Sequence, residues 1–336
     1  MSRRRYVAGR VLWALVATYL VVSVTFGLVV VSPNAGDLQA AYRAAEHGGD
    51  PAAARAAYRE ARGLDRPLLD RYVDHVVHAV FLQWGWSVSR SQYVWPAVVS
   101  ALAHTAQYAI PGVLLATALG WALGLYTAFH RHDPADRLGT AVAFAGASLP
   151  DFWLAVVLVL VFGVWVDGAA PLGVSLAALS LPTYYDAGVP ALSVANVRQL
   201  LLPTLVVGTT TLATTTRYAR AQATEYRDAG FVRGLRASGA GPLTVYWRVL
   251  RVALVPLSTV FIAEAVALTV AGAFVVEYVF QIPGIGLLAW SAVRAGDTAL
   301  VVATTLVPVL AGVLGNLAQD LAYVALDPRV ADGDRP

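Results

Sequence analysis

The sequence predicts an all-α polytopic membrane protein with about six transmembrane helices, a large extracytoplasmic loop after the first, and a long cytoplasmic loop between the fourth and fifth. Three observations lead there. Hydrophobic residues make up 58% of the 336 positions and charged residues only 13%, more apolar surface than one soluble core hides. The apolar stretches recur from Val11 to Ala325, so a single bundle accounts for the length. The arginines gather in the gaps between those stretches.

Taken in order, Val11 to Val31 holds no charge and follows Arg3, Arg4, Arg5 and Arg10. At about 1.5 Å per residue this run covers the roughly 30 Å hydrocarbon core. A cleaved signal peptide carries a shorter apolar stretch, about 7 to 15 residues, so a retained helix is expected. Residues 33–100 are polar and alanine-rich, with one helix opened by Asp50-Pro51 and closed near Gly63, and a second from Pro67. Arginines and acids balance in this stretch, as in a solvated helical cap. His75 and His78 lie three apart, but two histidines lacking a third ligand do not make a metal site, and no metal is expected.

Further spans are expected at Ala101 to Phe129, Leu138 to Val166, Leu200 to Leu212, Ala253 to Val276 and Leu300 to Ala325. The fourth is short, and Thr214 to Thr216 extend it if their hydroxyls bond back to the helix. With the N-terminus cytoplasmic, the inside segments hold 15 of the 24 arginines, in keeping with the positive-inside rule. Both termini are then cytoplasmic.

Several functions are excluded. There is no cysteine, hence no disulfide framework or thiolate chemistry. There is no lysine either, so the phosphate-binding G-x-x-x-x-G-K-[ST] loop cannot be written; if ATP drives this protein, a partner hydrolyses it. A net charge of +3 does not argue for nucleic acid, and no H-E-x-x-H or G-x-S-x-G occurs. Asp151 and Glu264 fall deep inside expected spans, where a charge costs at least about 2.5 kcal/mol and faces a bundle interior or a wet cavity. They are candidate pathway residues, with a structural role as the alternative; Pro150 is expected to bend the third helix beside them. A gradient-driven secondary transporter is the rival, although such a protein concentrates ionisable residues and related broken helices in its spans.

The most informative segment is Arg217 to Pro256. Phe231, Leu235, Leu243, Tyr246, Trp247, Leu250 and Leu254 recur at three- and four-residue spacings around Gly239-Ala240-Gly241-Pro242, which predicts two short helices joined by a turn. Arg233, Arg236, Arg248 and Arg251 flank the apolar face. From spacing alone two readings stay open, a helix pair seated in a groove of a cytoplasmic partner and an amphipathic pair lying on anionic headgroups. Later, Pro283-Gly284-Ile285-Gly286 combines a helix-ending proline with glycines that permit a tight turn, a structural hairpin.

Arg236-Ala237-Ser238-Gly239 and the helix after it resemble the coupling loop of the dipeptide/oligopeptide type of ABC importer permease. Other motifs agree in order. Gly63-Leu64-Asp65-Arg66-Pro67 resembles that family's GLDKP, and Ser148 to Trp153 its S-x-P-x-F-W. Glu277 to Gly286 resembles E-x-x-F-x-x-PG-x-G, and Asn316 to Arg329 resembles the closing N-L-x-x-D-x-x-Y-x-x-x-DPR. Gly230 stands where the family often has an acid.

The resemblance implies a permease core at 101–327 between a tail-and-helix segment 1–32, a cap 33–100 and a cytoplasmic tail 328–336. It implies that Arg233, Arg236, Ala237, Gly239, Gly241, Arg248 and Arg251 dock on an ATP-binding subunit, which itself uses ATP and magnesium. It implies three kinds of partner: a second homologous permease, two ATPase subunits and an extracytoplasmic substrate-binding protein. The implied cargo is short peptides, with nickel chelates, glutathione or oligosaccharides as alternatives. Pro150, Glu277, Pro283, Gly284 and Gly286 are implied motif residues, and no cofactor is expected on this chain.

Overall fold

The structure, a computed structural model, describes residues 3–31, 35–130, 151–166, 180–267 and 273–326, with isolated positions between 133 and 150. Most of the first half of the expected third span, part of the fifth at 268–272, and the closing stretch 327–336 lie outside the described residues. What is described is almost entirely helical: α1 (Arg3–Val31), α2 (Ala35–Glu46), α3 (Pro51–Ala61), α4 (Leu68–Val80), a two-residue hairpin of β1 (Trp86–Ser87) and β2 (Gln92–Tyr93), α5 (Val94–Phe129), α6 (Asp151–Leu160, continued by a π-helical turn to Val166), α7 (Val194–Tyr226), α8 (Gly230–Ala237), α9 (Pro242–Ala267), α10 (Ala273–Phe280), α11 (Ile285–Ala295) and α12 (Thr298–Leu326). Among the described residues three stretches, beginning at Arg4, Val94 and Thr298, are long and apolar enough to cross a membrane, and a fourth if the interrupted pair α10 and α11 is one span. The chain divides into two compact units, residues 1–103 with 284–320 and residues 104–283 with 321–336.

Unit one carries the cap. The Asp50 side chain accepts a hydrogen bond from the Ala52 amide at 2.8 Å with Pro51 in the first turn, the helix start that the sequence implies. At the other end of α3, Leu64 N–H bonds to Arg59 C=O and Gly63 N–H to Glu60 C=O, closing the helix where expected. Helix α4 follows Pro67 and leans on α1: Tyr72 shares a 2.7 Å hydrogen bond with Ser23 and meets Phe26 edge-on. Val22, Ala79, Val302 and Leu306 form the apolar seam beneath. The hairpin was not legible in the sequence, and neither was its anchor, Asp297.

Asp297 is buried. One of its oxygens accepts from the Ser87 hydroxyl at 2.6 Å and from the Ser89 amide and hydroxyl at 3.0 and 2.8 Å, and the other accepts from the Leu300 amide at 3.3 Å. Burial, the largest single influence, pushes its pKa up, but these hydrogen bonds together outweigh it and hold the carboxyl below its usual value. A depressed folded pKa contributes stability that is present above the unfolded value of about 3.9 and lost as pH falls through the lower folded one. Thermal unfolding in detergent should therefore weaken below about pH 4, and Asp297→Asn should lower the neutral-pH melting temperature while flattening that acid limb.

Unit two is built on α5, α6, α7, α9 and α10. Tyr108, Leu202, Val206, Val276, Phe280 and Ile282 are core members of one apolar cluster, and Leu125, Ala219, Val232, Val249 and Leu257 of another. Gly112, Gly120 and Gly124 of α5 face α7 so closely that a Cβ at Gly124 would stand 2.7 Å from the Thr216 carbonyl oxygen and 2.8 Å from the Arg220 nitrogen. Small residues at four-residue spacing allow this approach, a packing mode suited to helices in lipid.

One expectation holds and two change. Helix α7 runs unbroken through the threonine run to Tyr226, with Thr209 and Thr215 hydroxyls bonding back to Leu205 and Thr211 carbonyls. The second helix of the 217–256 segment is not short: α9 continues for 26 residues into the expected fifth span. Pro150 does not bend a continuous helix. It is the extended residue before α6, with φ −64° and ψ 137°, so Asp151 begins a helix instead of lying within one.

Candidate functional site

The segment between α7 and α9 is held from inside and open outside. Val232 on α8 and Val245, Val249, Ala253 and Leu257 on α9 are fully or almost fully buried against Leu125 and Ala128 of α5 and Ala219 and Ala223 of α7. These inward residues recur every four positions on α9, one stripe of a helix. Phe129 at the end of α5 adds a second anchor, with the Tyr246 ring 5.0 Å away and the Arg236 guanidinium 5.5 Å from its centroid.

The turn is defined by its hydrogen bonds. Ala240 N–H reaches Leu235 C=O and Gly239 N–H reaches Arg236 C=O, both at 3.0 Å, the paired closure of a Schellman motif. Gly239 occupies the left-handed position with φ +79°. No atom lies within 4 Å of where its Cβ would be, so the demand for glycine is conformational and not steric. Gly241 has no such demand; its carbonyl accepts from Thr244 and Val245, opening α9 with Pro242 in the first turn.

What remains on the surface is a row of apolar side chains, Phe231, Leu243 and Trp247, exposed by 42%, 81% and 60%. Arg233, Arg236, Ala237, Gly239, Gly241, Arg248 and Arg251 are all exposed on the same two helices and their turn. The structure thus brings the expected docking residues onto one element pair. It also splits the apolar set read from spacing: Leu235, Tyr246, Leu250 and Leu254 are half-buried, whereas Phe231, Leu243 and Trp247 point out.

The other candidates are dispersed. Asp151, at the start of α6, accepts a hydrogen bond from the Thr210 hydroxyl of α7. Glu264 lies on α9, and its side chain is outside the described residues. Glu277 is fully buried, and its Oε1 accepts from Thr105 at 2.6 Å and Tyr108 at 3.1 Å, both on α5. Helix α10 ends with Ile282 N–H on Glu277 C=O, and the left-handed residue of that turn is Gln281, φ +57°. After that turn Pro283 leads into Gly284, which caps α11 at φ −90°, and Gly286 lies in the first turn of α11.

A family model described as the binding-protein-dependent transport system inner membrane component matches residues 120–332. The chain belongs to that family. The matched stretch of this binding-protein-dependent permease contains Asp151, the α8–turn–α9 surface, Glu277 and the 283–286 segment, and begins after the cap. The di/tripeptide transport system permease protein of Pseudomonas aeruginosa is 31% identical over 282 residues, covering 80% of this chain and 82% of its own. The oligopeptide transport system permease protein of Bacillus subtilis is 26% identical over 283 residues, 82% and 84% of the two chains. The glutathione transport system permease protein of Escherichia coli K12 is 27% identical over 273 residues, 81% and 82%. The chain is an ABC importer permease of the peptide class and a multi-pass membrane protein.

Several residues of the permease escaped the sequence reading. Thr105, Tyr108 and Thr210 are ordinary hydroxyl residues in long helices, with no local signal of a carboxylate partner. The inward stripe Val245, Val249, Ala253, Leu257 did carry a signal, its spacing of four.

Proposed function

We propose that the chain lines the translocation path of an ATP-driven importer of short peptides and passes the motion of an ATP-hydrolysing partner into the membrane through α8 and α9. One observation carries the reading: a helix pair fixed from inside by Val232, Val245 and Val249 keeps Phe231, Leu243 and Trp247 exposed within a rim of arginines. Apolar anchors with a charged rim suit a groove in another protein. In this reading the chain spans the membrane six times with both termini cytoplasmic, 33–100 forms an extracytoplasmic cap, 101–327 the permease core and 328–336 a tail. It works beside a second homologous permease, two ATPase subunits holding ATP and magnesium, and a substrate-binding protein. Asp151 and Glu264 belong to the path. Glutathione, itself a small peptide, is a second cargo reading favoured by the relative that carries that name.

The test uses surface changes that leave the inward stripe alone. Leu243→Asp with Trp247→Asp should abolish co-purification of the ATPase subunits and substrate uptake while leaving the melting temperature in detergent unchanged. Stoichiometric ATPase on the double variant would sink the assignment and revive a headgroup-binding role for the pair. Gly239→Val should cost about 1 to 2 kcal/mol of local stability, from forcing a β-branched residue left-handed, yet reduce uptake far more than expression.

A further inference from the structure

We propose that the cap of unit one holds a binding site for an anionic membrane lipid. A cavity of about 810 Å³ lies among α1 to α4, the β1 hairpin and the start of α12. Its walls are of two kinds. Phe26, Val29, Ala79 and Val302 give it an apolar side contributed largely by α1 and α12, two helices long enough to span the membrane. Arg43, Arg62, Arg66 and Arg71 give it a cationic side.

The charge on that side is not balanced from within. Of the two carboxylates in the lining, Asp74 is paired with Arg66 at 2.6 Å, and Asp297 accepts four hydrogen bonds from Ser87, Ser89 and Leu300. Among the described residues, Arg43, Arg62 and Arg71 have no carboxylate partner; Arg71 donates to the Leu64 carbonyl and Arg62 lies 5.7 Å over the Tyr58 ring.

A ligand with anionic oxygens at one end and hydrocarbon at the other meets every one of these needs. Its oxygens accept from the unpaired guanidiniums, and its chains cover Phe26, Val29 and Val302. A peptide fits less well, because its ammonium terminus finds both lining carboxylates already engaged. A free inorganic anion leaves the apolar wall uncovered.

The full-length chain, purified in detergent, is titrated by native mass spectrometry with phosphatidylglycerol and with phosphatidylcholine. Phosphatidylglycerol should bind on the order of tenfold more tightly. Arg43→Gln with Arg62→Gln, both at exposed positions, should remove that preference at an unchanged melting temperature. Equal affinity for the two lipids, or undiminished phosphatidylglycerol binding by the double variant, overturns the proposal. So does displacement of the lipid by inorganic phosphate, which would make the site one for free anions, or by an acidic dipeptide, which would make it a peptide site.

Discussion

Gly124→Leu should leave little folded protein: a monodisperse peak on size-exclusion chromatography in detergent should collapse, and any surviving fraction should melt far below the native chain. The reason is what a side chain would meet. A Cβ at Gly124 would lie 2.6 Å from the Ala219 Cβ, 2.7 Å from the Thr216 carbonyl oxygen and 2.8 Å from the Arg220 nitrogen. Backbone atoms cannot rotate aside, so α5 and α7 must separate along their length. That separation would strip burial from Leu125, Ala128, Ala219 and Ala223 together. Overpacking costs about 1 to 3 kcal/mol where neighbours can shift, and more is expected against backbone, out of a total stability of about 5 to 15 kcal/mol. Gly120→Leu should be nearly as severe, since its Cβ would strike Thr215, whose hydroxyl is committed to the Thr211 carbonyl. Gly27→Leu on α1 is the control, with nothing within 4 Å of its Cβ position. A melting temperature for Gly124→Leu within a degree or two of that control would show that the helices do not approach as described.

The permease family and the cap helices were legible because they are local facts. Asp50-Pro51, Gly63 and Pro67 act within one turn of themselves, and the helices begin and end there. The orientation of the α8–α9 pair was not legible, because both of its faces are apolar and a three-to-four spacing fits either. Only Val232, Val245, Val249 and Ala253 show which side faces in. Asp151 was placed mid-span by the length of the apolar run, although a proline before an acid is itself a helix-start pattern: proline keeps its predecessor out of the α region, and the acid suits the positive end of the helix. Gly239 takes the left-handed conformation in its turn, but Gln281 and Leu82 hold that conformation without being glycine. Their flanking hydrogen bonds, Ile282 to Glu277 and Gln83 to His78, impose it. The donors to Glu277 lie on α5, roughly 170 residues earlier, and no spacing rule reaches so far.

Glu277→Ala should be the costliest single change in α10, because it leaves buried hydroxyls without their acceptor and opens a void in a packed core. The side chain is fully buried, and the Thr105 and Tyr108 hydroxyls both donate to the same carboxyl oxygen. Those donors lie three residues apart on α5, so they share one face of that helix and clamp α10 to it. Tyr108 is itself fully buried, so truncating Glu277 takes away the acceptor its hydroxyl uses, at about 1 to 3 kcal/mol, and leaves a void besides. The same residue supplies the carbonyl that closes the Gln281 turn through Ile282 N–H at 2.9 Å, so displacing α10 also loosens the approach to Pro283. Glu277→Gln keeps an acceptor at Oε1 and should cost only about 1 kcal/mol. Tyr108→Phe removes one donor without opening a cavity. The double variant Glu277→Ala with Tyr108→Phe should be less damaging than the sum of its parts, by about 0.5 to 1.5 kcal/mol, the coupling expected of one hydrogen bond. Thermal or denaturant unfolding of the four proteins in one detergent measures that coupling. Strict additivity would mean that the Tyr108 hydrogen bond contributes nothing and leave Thr105 as the donor that holds Glu277, whereas coupling of that size makes Tyr108–Glu277 a polar link between α5 and the turn before Pro283.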